Sequence, residues 1–189
     1  MCAENQMQKT IRKTREYLDY IEEHYNNVQK AWKLIQEKGR GKCWSFLYDD
    51  FKFFSLDAMI KEHDVSKLSQ EEFVQYRQAF FSVSDEENKN SKAGFDAAWE
   101  HHKAHNRHHW ETWTKAEYMY SELDLVHNVC DWMAMGMKFN DTARDYYEKN
   151  KNKIQIPEWA EKLMYEIFDC IYGIEDGAQD NKEIRRNIT

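Results

Sequence analysis

Proline and glycine are scarce in this chain, with one proline and six glycines among 189 residues. Collagen-like, low-complexity and turn-rich all-β structures depend on these two residues, so the composition excludes them. Long hydrophobic runs are also lacking, since no run of 18 apolar residues occurs, and we therefore expect no membrane-spanning helix. The first twenty residues contain no apolar segment, which predicts a protein without a secretory signal and located in the cytoplasm.

Cysteine and net positive charge are in short supply as well. The four cysteines form no CxxC pair and fit no zinc-ribbon spacing, so we expect reduced thiols at Cys2, Cys43, Cys130 and Cys170. Lysine and arginine number 27 against 34 aspartates and glutamates, which gives a net charge of −7. An acidic surface repels a nucleic-acid polymer, so a small-molecule ligand is the expected partner.

Aromatic residues are abundant, with 7 tryptophans, 11 tyrosines and 10 phenylalanines, enough to build a packed core. Apolar residues recur at intervals of three, four and seven, the pattern of amphipathic helices. We predict an all-α bundle of six to seven helices over residues 1–174, followed by a polar tail over 175–189. The predicted helices cover 5–38, 45–63, a segment from 69, a segment from 95, 119–137, 141–152 and a segment with Pro157 at its first position.

Two local signals refine these boundaries. Ser69 and Glu72 have the spacing of a capping box, which predicts a helix that begins at Ser69. The polar stretch 84–92 predicts a loop.

Histidines and aspartates at core-facing positions are the candidates for chemistry. His24 lies between Ile21 and Val28 on the apolar face of the first helix, and a core histidine with one hydrogen bond is the alternative reading. His63 lies on the apolar face of the second predicted helix. Asp64 comes directly after it in the sequence and has a carboxylate that needs a cation if it is buried. The alternative for this doublet is a capping aspartate beside a surface histidine.

The strongest signal is the sequence AWEHHKAHNRHHWETW, which holds five histidines between His101 and His109. On a continuous helix His102, His105 and His109 share one face. Neutral imidazole is a good ligand for Zn, Fe, Mn or Ni, and a bound cation removes the repulsion among protonated rings. A solvated histidine-rich turn is the alternative, but the flanking tryptophans favour a packed segment.

A stripe of three polar residues, Asp124, His127 and Asp131, follows one face of the fifth predicted helix. Asp124 lies near the start of the helix, where a carboxylate interacts favourably with the helix dipole. Asp131 lies in the middle of the helix between Cys130 and Trp132. We therefore predict that Asp131, and not Asp124, is the functional carboxylate.

The order of these motifs, H…HD…H-rich…D on an all-α chain, resembles the HD-domain metal-dependent phosphohydrolase superfamily. The doublet continues as HDVSK, which is similar to that superfamily's HD-x-x-K form, and the additional histidines resemble its binuclear branch. The GYP motif of one phosphodiesterase group is absent, so the resemblance does not extend to a cyclic di-GMP substrate. More narrowly, HDVSKLSQEEF, AWEHHKAHNRHHWETW and CDWMAMGMKF resemble an uncharacterised HD-like family of phages and bacteria, a domain of unknown function. The resemblance spans residues 20–165.

The resemblance implies a ligand set of one or two divalent transition-metal ions, Mn, Fe, Zn, Ni or Co. The first ion takes a helix-one histidine, the doublet and the final aspartate, here His24, His63, Asp64 and Asp131. The second takes cluster histidines with the doublet's aspartate as a bridge, here His102, His108, His109 and Asp64. Helical geometry favours His105 over His108, whereas the family's HH pair favours His108 and His109, and both choices stay open at this point.

The resemblance further implies hydrolysis of a phosphate ester by a metal-activated water. Asp64, Lys67 and His105 are the predicted catalytic residues, with Lys67 holding a phosphate and His105 protonating the leaving group. Substrate-binding residues are predicted to be Lys67, Arg107 and Trp110. Lys61 and Arg77 are further candidates for phosphate contacts, and Trp99 and Trp113 for stacking on a base.

The predicted substrate is a small nucleotide, either a phosphomonoester, a triphosphate or a cyclic phosphodiester. The predicted setting is the cytoplasm of a bacterial cell or of a phage-infected host, without a membrane or a nucleic-acid polymer as partner, and a homodimer is compatible with it. Two other functions use the same residues: a non-catalytic metal-containing binding protein that sequesters a nucleotide or partner, and an HD-fold di-iron oxygenase.

Overall fold

The computed structural model describes residues 4–115 and 120–173, and within them the chain is helical and contains no strand. This confirms the predicted all-α class. Ten helices are present in this part of the chain: α1 (Gln6–Lys38), α2 (Ser45–Tyr48), α3 (Asp50–Lys61), α4 (Phe73–Phe80), α5 (Asp85–Asn90), α6 (Lys92–His105), α7 (Trp110–Lys115), α8 (Glu122–Phe139), α9 (Ala143–Asn150) and α10 (Glu158–Tyr172). The predicted tail over 175–189, Cys2 and Met119 lie outside the described residues.

The number of helices exceeds the prediction because several segments are interrupted. The segment predicted as one helix over 45–63 divides at Asp49, whose backbone is extended and whose side chain accepts a hydrogen bond from the Lys52 amide at 2.9 Å. Asp49 thereby acts as the N-cap of α3. The helix ends at Lys61, so His63 lies in the turn that follows it and not in the helix.

The predicted loop over 84–92 is wrong, because residues 85–90 form α5. Ser84 is its N-cap and accepts a hydrogen bond from the Glu87 amide at 3.2 Å. Three acidic residues in the first turn also interact favourably with the positive end of the helix dipole.

The predicted capping box at Ser69 and Glu72 is also wrong. Residues 65–68 form a short 3-10 turn, and α4 begins only at Phe73, with Glu72 at its N-cap position and without a side-chain cap. The Glu72 carboxylate instead accepts hydrogen bonds from two histidine rings, a stronger attraction than one backbone amide provides.

The chain divides into two compact units. The first contains residues 4–25 and 64–107, and its small apolar core is formed by Tyr17, Tyr76 and Ala98. The second contains residues 26–63, 108–115 and 120–173.

The second unit has the larger core, built around α8. Leu125 and Val129 on this helix are fully buried, as are Ile35 on α1 and Phe168 on α10. Gly136 permits α8 to lie against the segment that follows it, because a β-carbon here would come within 2.6 Å of the Asp141 carbonyl oxygen. Since α8 is buried along most of its length, its polar residues have few solvent contacts and need partners inside the unit.

Candidate metal centre

Three histidines of the second unit form a buried group that we call the imidazole group: His63, His108 and His127. One ring nitrogen from each lies within 4.8 Å of the others, and each residue is at most 5% exposed. Nδ1 of His63 is 2.9 Å from Nε2 of His127, so one of the two nitrogens donates a hydrogen bond to the other. Imidazole nitrogens grouped in this way are a donor set for a transition-metal ion.

Three different segments supply these rings. His63 lies in the turn after α3, His108 in the turn before α7, and His127 on α8. Asp131 lies one helical turn after His127, so both side chains lie on one face of α8. Oδ1 of Asp131 is 3.7 Å from Nε2 of His63, which places a carboxylate next to the imidazole group.

The first unit contains a second group of polar residues around Asp64, which is 6% exposed. The Asp64 carboxylate forms an ion pair with Lys67, with Oδ2 2.6 Å from Nζ. It also lies 3.5 Å from Nε2 of His24 and 3.3 Å from Nε2 of His102. Asp64 adopts a left-handed backbone conformation with φ of 57°, which aspartate tolerates better than most residues.

Glu72, fully buried, holds the His102 ring in place. Its Oε2 accepts a hydrogen bond from Nδ1 of His102 at 2.8 Å, and its Oε1 accepts one from Nδ1 of His101 at 2.7 Å. Because the carboxylate can only accept, Nδ1 of His102 carries the proton. Nε2 of His102 faces Oδ1 of Asp64, and in the singly protonated ring both atoms present lone pairs to each other. This arrangement is favourable only if the ring is doubly protonated or a cation lies between the two atoms.

The charge state of this pair follows from its surroundings. Burial disfavours the charged ring of His102, but its hydrogen bonds with Asp64 and Glu72 outweigh burial and raise its pKa above the usual value. Burial likewise opposes ionisation of Glu72, but its bonds with His102 and His101 hold the pKa of that carboxyl below its usual value. A divalent cation would satisfy the same lone pairs without a proton.

Two of these residues were not assigned by the sequence. The spacing of Glu72 from Ser69 predicts a capping box, and no periodic or motif signal connects Glu72 to the histidine cluster. His127 belongs to the stripe of Asp124, His127 and Asp131, but no role was given to it. A signal did exist for His127, since it lies one turn before Asp131 on the same helical face.

The end of α6 divides the histidine cluster between the helix, which holds His101, His102 and His105, and the turn that follows, which holds His108 and His109. Because α6 ends at His105, the expected common helical face of His102, His105 and His109 does not exist. His105 is exposed and its ring stacks on that of His101, outside both polar groups. His109 is half-buried beside His108, with ring centroids 4.4 Å apart.

Of the other predicted substrate contacts, Lys67 lies at the Asp64 group, Arg107 is exposed, and half-buried Trp110 packs against the core of the second unit. Lys61 pairs with Asp57 at 2.7 Å, and Arg77 pairs with Glu87 at 2.7 Å.

The two tryptophans predicted to stack on a base stack on other rings of their own units in the structure. Trp99 stacks on the ring of His102, and Trp113 on that of Tyr120.

The two aspartates of α8 have different environments. Asp124 is 1% exposed and forms a capping box with Ser121, whose hydroxyl donates to Oδ2 at 2.6 Å. Asp131 is the carboxylate beside His63. Asp124 thus stabilises the start of α8, while the carboxylate of Asp131 lies next to the imidazole group.

Residues 13–172 match a protein family described as a family of unknown function, DUF5662. The chain belongs to this family. No curated protein and no solved structure matches the chain. Family membership therefore names no activity, and an HD-domain relationship remains a prediction from the motifs. No helix in the part of this chain that the structure describes is both long and apolar enough to cross a membrane.

Proposed function

We propose that this protein is a metal-dependent phosphohydrolase that acts on a small nucleotide. The observation that carries the proposal is the imidazole group, with three ring nitrogens within 4.8 Å of one another and Asp131 beside them. Buried imidazole nitrogens together with a carboxylate oxygen are a donor set that fits Zn, Fe, Mn, Ni or Co better than Mg or Ca. The resemblance of the H…HD…D order to the HD superfamily supplies the reaction class.

The residues of the chain would perform distinct tasks in this reaction. A bound divalent ion lowers the pKa of water towards neutrality and so supplies hydroxide. His63, His108, His127 and Asp131 would hold such an ion in the second unit.

The first unit holds a polar group of its own, in which Asp64 and His102 are candidate metal ligands and Lys67 is a candidate phosphate contact. Lys67 is 8% exposed, so its charge acts in a poorly solvated environment, where it is stronger than in water.

The location of His105 changes one predicted role. Its exposed ring lies outside both polar groups, so the proposal does not use it as a proton donor. His109 remains in place beside His108 and is the histidine proposed for protonation of the leaving oxygen.

A substrate panel tests the proposal. Linear and cyclic nucleotides are incubated with the metal-depleted protein after separate addition of Mn, Co, Ni, Fe or Mg, and phosphate release and chromatography identify the product. We expect turnover with at least one transition metal, also without oxygen, and loss of turnover in Asp131→Asn but not in Asp124→Asn.

The other outcomes identify the competing functions. Turnover that requires iron and dioxygen would contradict hydrolysis and indicate an oxygenase. Nucleotide binding with metal, but without any product, would contradict catalysis and indicate a sequestering protein.

A further inference from the structure

His101 and His105, which we call the surface histidine pair, lie four residues apart on α6. Their rings stack with centroids 3.9 Å apart and an interplanar angle of 22°. His105 is exposed, and the His101 side chain is 26% exposed. The pair is therefore accessible to solvent, unlike the buried histidines of the candidate centre.

The hydrogen bonds of the pair fix the tautomer of both rings. Nδ1 of His101 lies 2.7 Å from Oε1 of Glu72, and Nδ1 of His105 lies 2.8 Å from the backbone carbonyl oxygen of His101. A carboxylate and a carbonyl can only accept, so both Nδ1 atoms carry the proton. In the neutral rings, both Nε2 atoms then carry a lone pair.

This pattern is the one that prepares a histidine to bind a metal. Metal-bound imidazoles commonly donate their other ring nitrogen to a carboxylate or a backbone carbonyl, which orients the ring and increases its basicity. His101 has the carboxylate and His105 has the carbonyl. The two rings are in contact but nearly parallel, so the exposed His105 ring has to rotate away from the stack for both Nε2 atoms to bind one ion.

The electrostatic surroundings also favour a cation. His105 lies in the last turn of α6, where the helix dipole presents its negative end. Glu72 adds a negative charge directly behind His101, whereas the neighbouring Glu100 carboxylate is paired with Lys103 at 2.6 Å and is not part of the site.

We propose that the surface histidine pair is a second, solvent-exposed metal site that chelates one divalent transition-metal ion, with water completing the coordination. Nitrogen ligands of this kind select Cu²⁺ and Ni²⁺ over Mn²⁺ and Mg²⁺. The site is separate from the imidazole group and does not depend on the proposed hydrolase activity.

Retention of the untagged protein on immobilised Cu²⁺–iminodiacetate tests the site, because buried histidines cannot reach an immobilised ion. We expect the wild-type protein to be retained and His105→Ala to elute at a clearly lower imidazole concentration. Glu100→Ala is the matched control on the same helix and should elute with the wild type or close to it. Equal retention of His105→Ala and the wild type would overturn the proposal.

A calorimetric titration with Ni²⁺ gives a second readout. The wild-type protein should bind one more ion than His105→Ala, or bind it roughly tenfold or more tightly, because two linked ligands act together. Asp131→Asn should retain this exposed ion, which separates the site from the candidate centre. Identical titration curves for wild type and His105→Ala would contradict the site even if the protein proves to be a hydrolase.

Discussion

Asp131 and Asp124 are both buried aspartates of α8, yet the structure gives them different tasks. Asp131 lies beside His63, whereas Asp124 caps the helix through Ser121. Asp131→Asn keeps the shape but removes the negative charge, so we expect loss of bound metal and of turnover with the helix content unchanged. Metal analysis of the purified variant, with circular dichroism as the check on folding, measures this.

Asp124→Asn is the control for that substitution. It weakens a capping box, so we expect it to lower the free energy of unfolding by about 1 kcal/mol while the metal content stays the same. A metal-free Asp124→Asn protein beside a metal-loaded Asp131→Asn protein would reverse the assignment.

Glu72 provides a second prediction at the residue scale, because it fixes the orientation and tautomer of His102. Glu72→Gln keeps the volume but replaces one accepting oxygen by a donating amide, which no longer suits two Nδ1–H donors. Substitutions of this kind commonly lower metal affinity about 10–100-fold, and we expect such a loss for an ion held through His102.

Titration with Co²⁺, followed by its optical spectrum, measures the affinity of Glu72→Gln. The exposed neighbour Glu71 supplies the matched control, Glu71→Gln, which should bind like the wild type. If both variants bind equally well, Glu72 has only a structural role.

At the level of residues, the sequence predicted those positions whose chemistry and helical phase agree. His24 and His102 are buried and polar, as their positions on apolar helix faces suggested, whereas the buried Asp64 and His108 were assigned from the resemblance to the HD superfamily. Glu72 was missed because its partners lie about thirty residues further along the chain, and no local pattern reports a long-range hydrogen bond. The predicted common face of His102, His105 and His109 failed because α6 ends at His105, and helical phase has no meaning for His109 beyond that end.

At the level of elements, long amphipathic helices were predictable and short ones were not. The sequence predicts the first helix over 5–38, and the structure has it at Gln6–Lys38. The agreement is close because many apolar residues along this segment share one helical face. By contrast, α5 has no buried residue and therefore no apolar periodicity. Its stability derives from its cap, its acidic first turn and one ion pair, none of which a search for apolar faces detects.

That ion pair makes the stability of α5 dependent on pH. Both guanidinium nitrogens of Arg77 donate to Glu87, at 2.9 and 2.7 Å, and the Val83 amide donates to the same carboxylate at 2.7 Å. Hydrogen bonds with Arg77 hold the pKa of Glu87 below its usual value, against the smaller effect of burial. The stabilisation is thus complete above the ordinary glutamate pKa and is lost as the pH falls through the lowered one.

We expect Glu87→Gln to lower the free energy of unfolding by about 1.5–3 kcal/mol at pH 7. The difference from the wild type should shrink as the pH falls below about 4.3, where the carboxyl group begins to protonate in the unfolded chain. Urea unfolding at several pH values measures it, and Glu86→Gln, which removes only the smaller dipole contribution of an exposed first-turn charge, serves as control. A difference that does not change with pH would show that packing, and not charge, makes the contribution.

For the whole molecule, bound metal should contribute to stability, because the donors come from segments far apart in sequence. His63 and His127 are separated by 64 positions and approach only in the folded second unit. An ion that binds the folded state alone stabilises it by about 2.7 kcal/mol when its free concentration is 100 times its Kd.

We therefore expect a chelator to lower the Tm of the purified protein, and Zn²⁺ or Mn²⁺ in excess to restore it. Differential scanning calorimetry of the wild type and of Asp131→Asn measures the effect, and the variant should respond less. A wild-type Tm that is indifferent to both chelator and metal would contradict a resident ion in the second unit.

The left-handed backbone at Asp64 restricts how this position can evolve. Asparagine and glycine adopt this conformation with little strain, whereas alanine, valine or leucine would add a backbone cost to the loss of the carboxylate. In a lineage that no longer needed the carboxylate, drift at this position would therefore favour asparagine or glycine, with the surrounding fold intact. Either residue at position 64 of a related chain would mark a descendant that kept the scaffold after losing the chemistry.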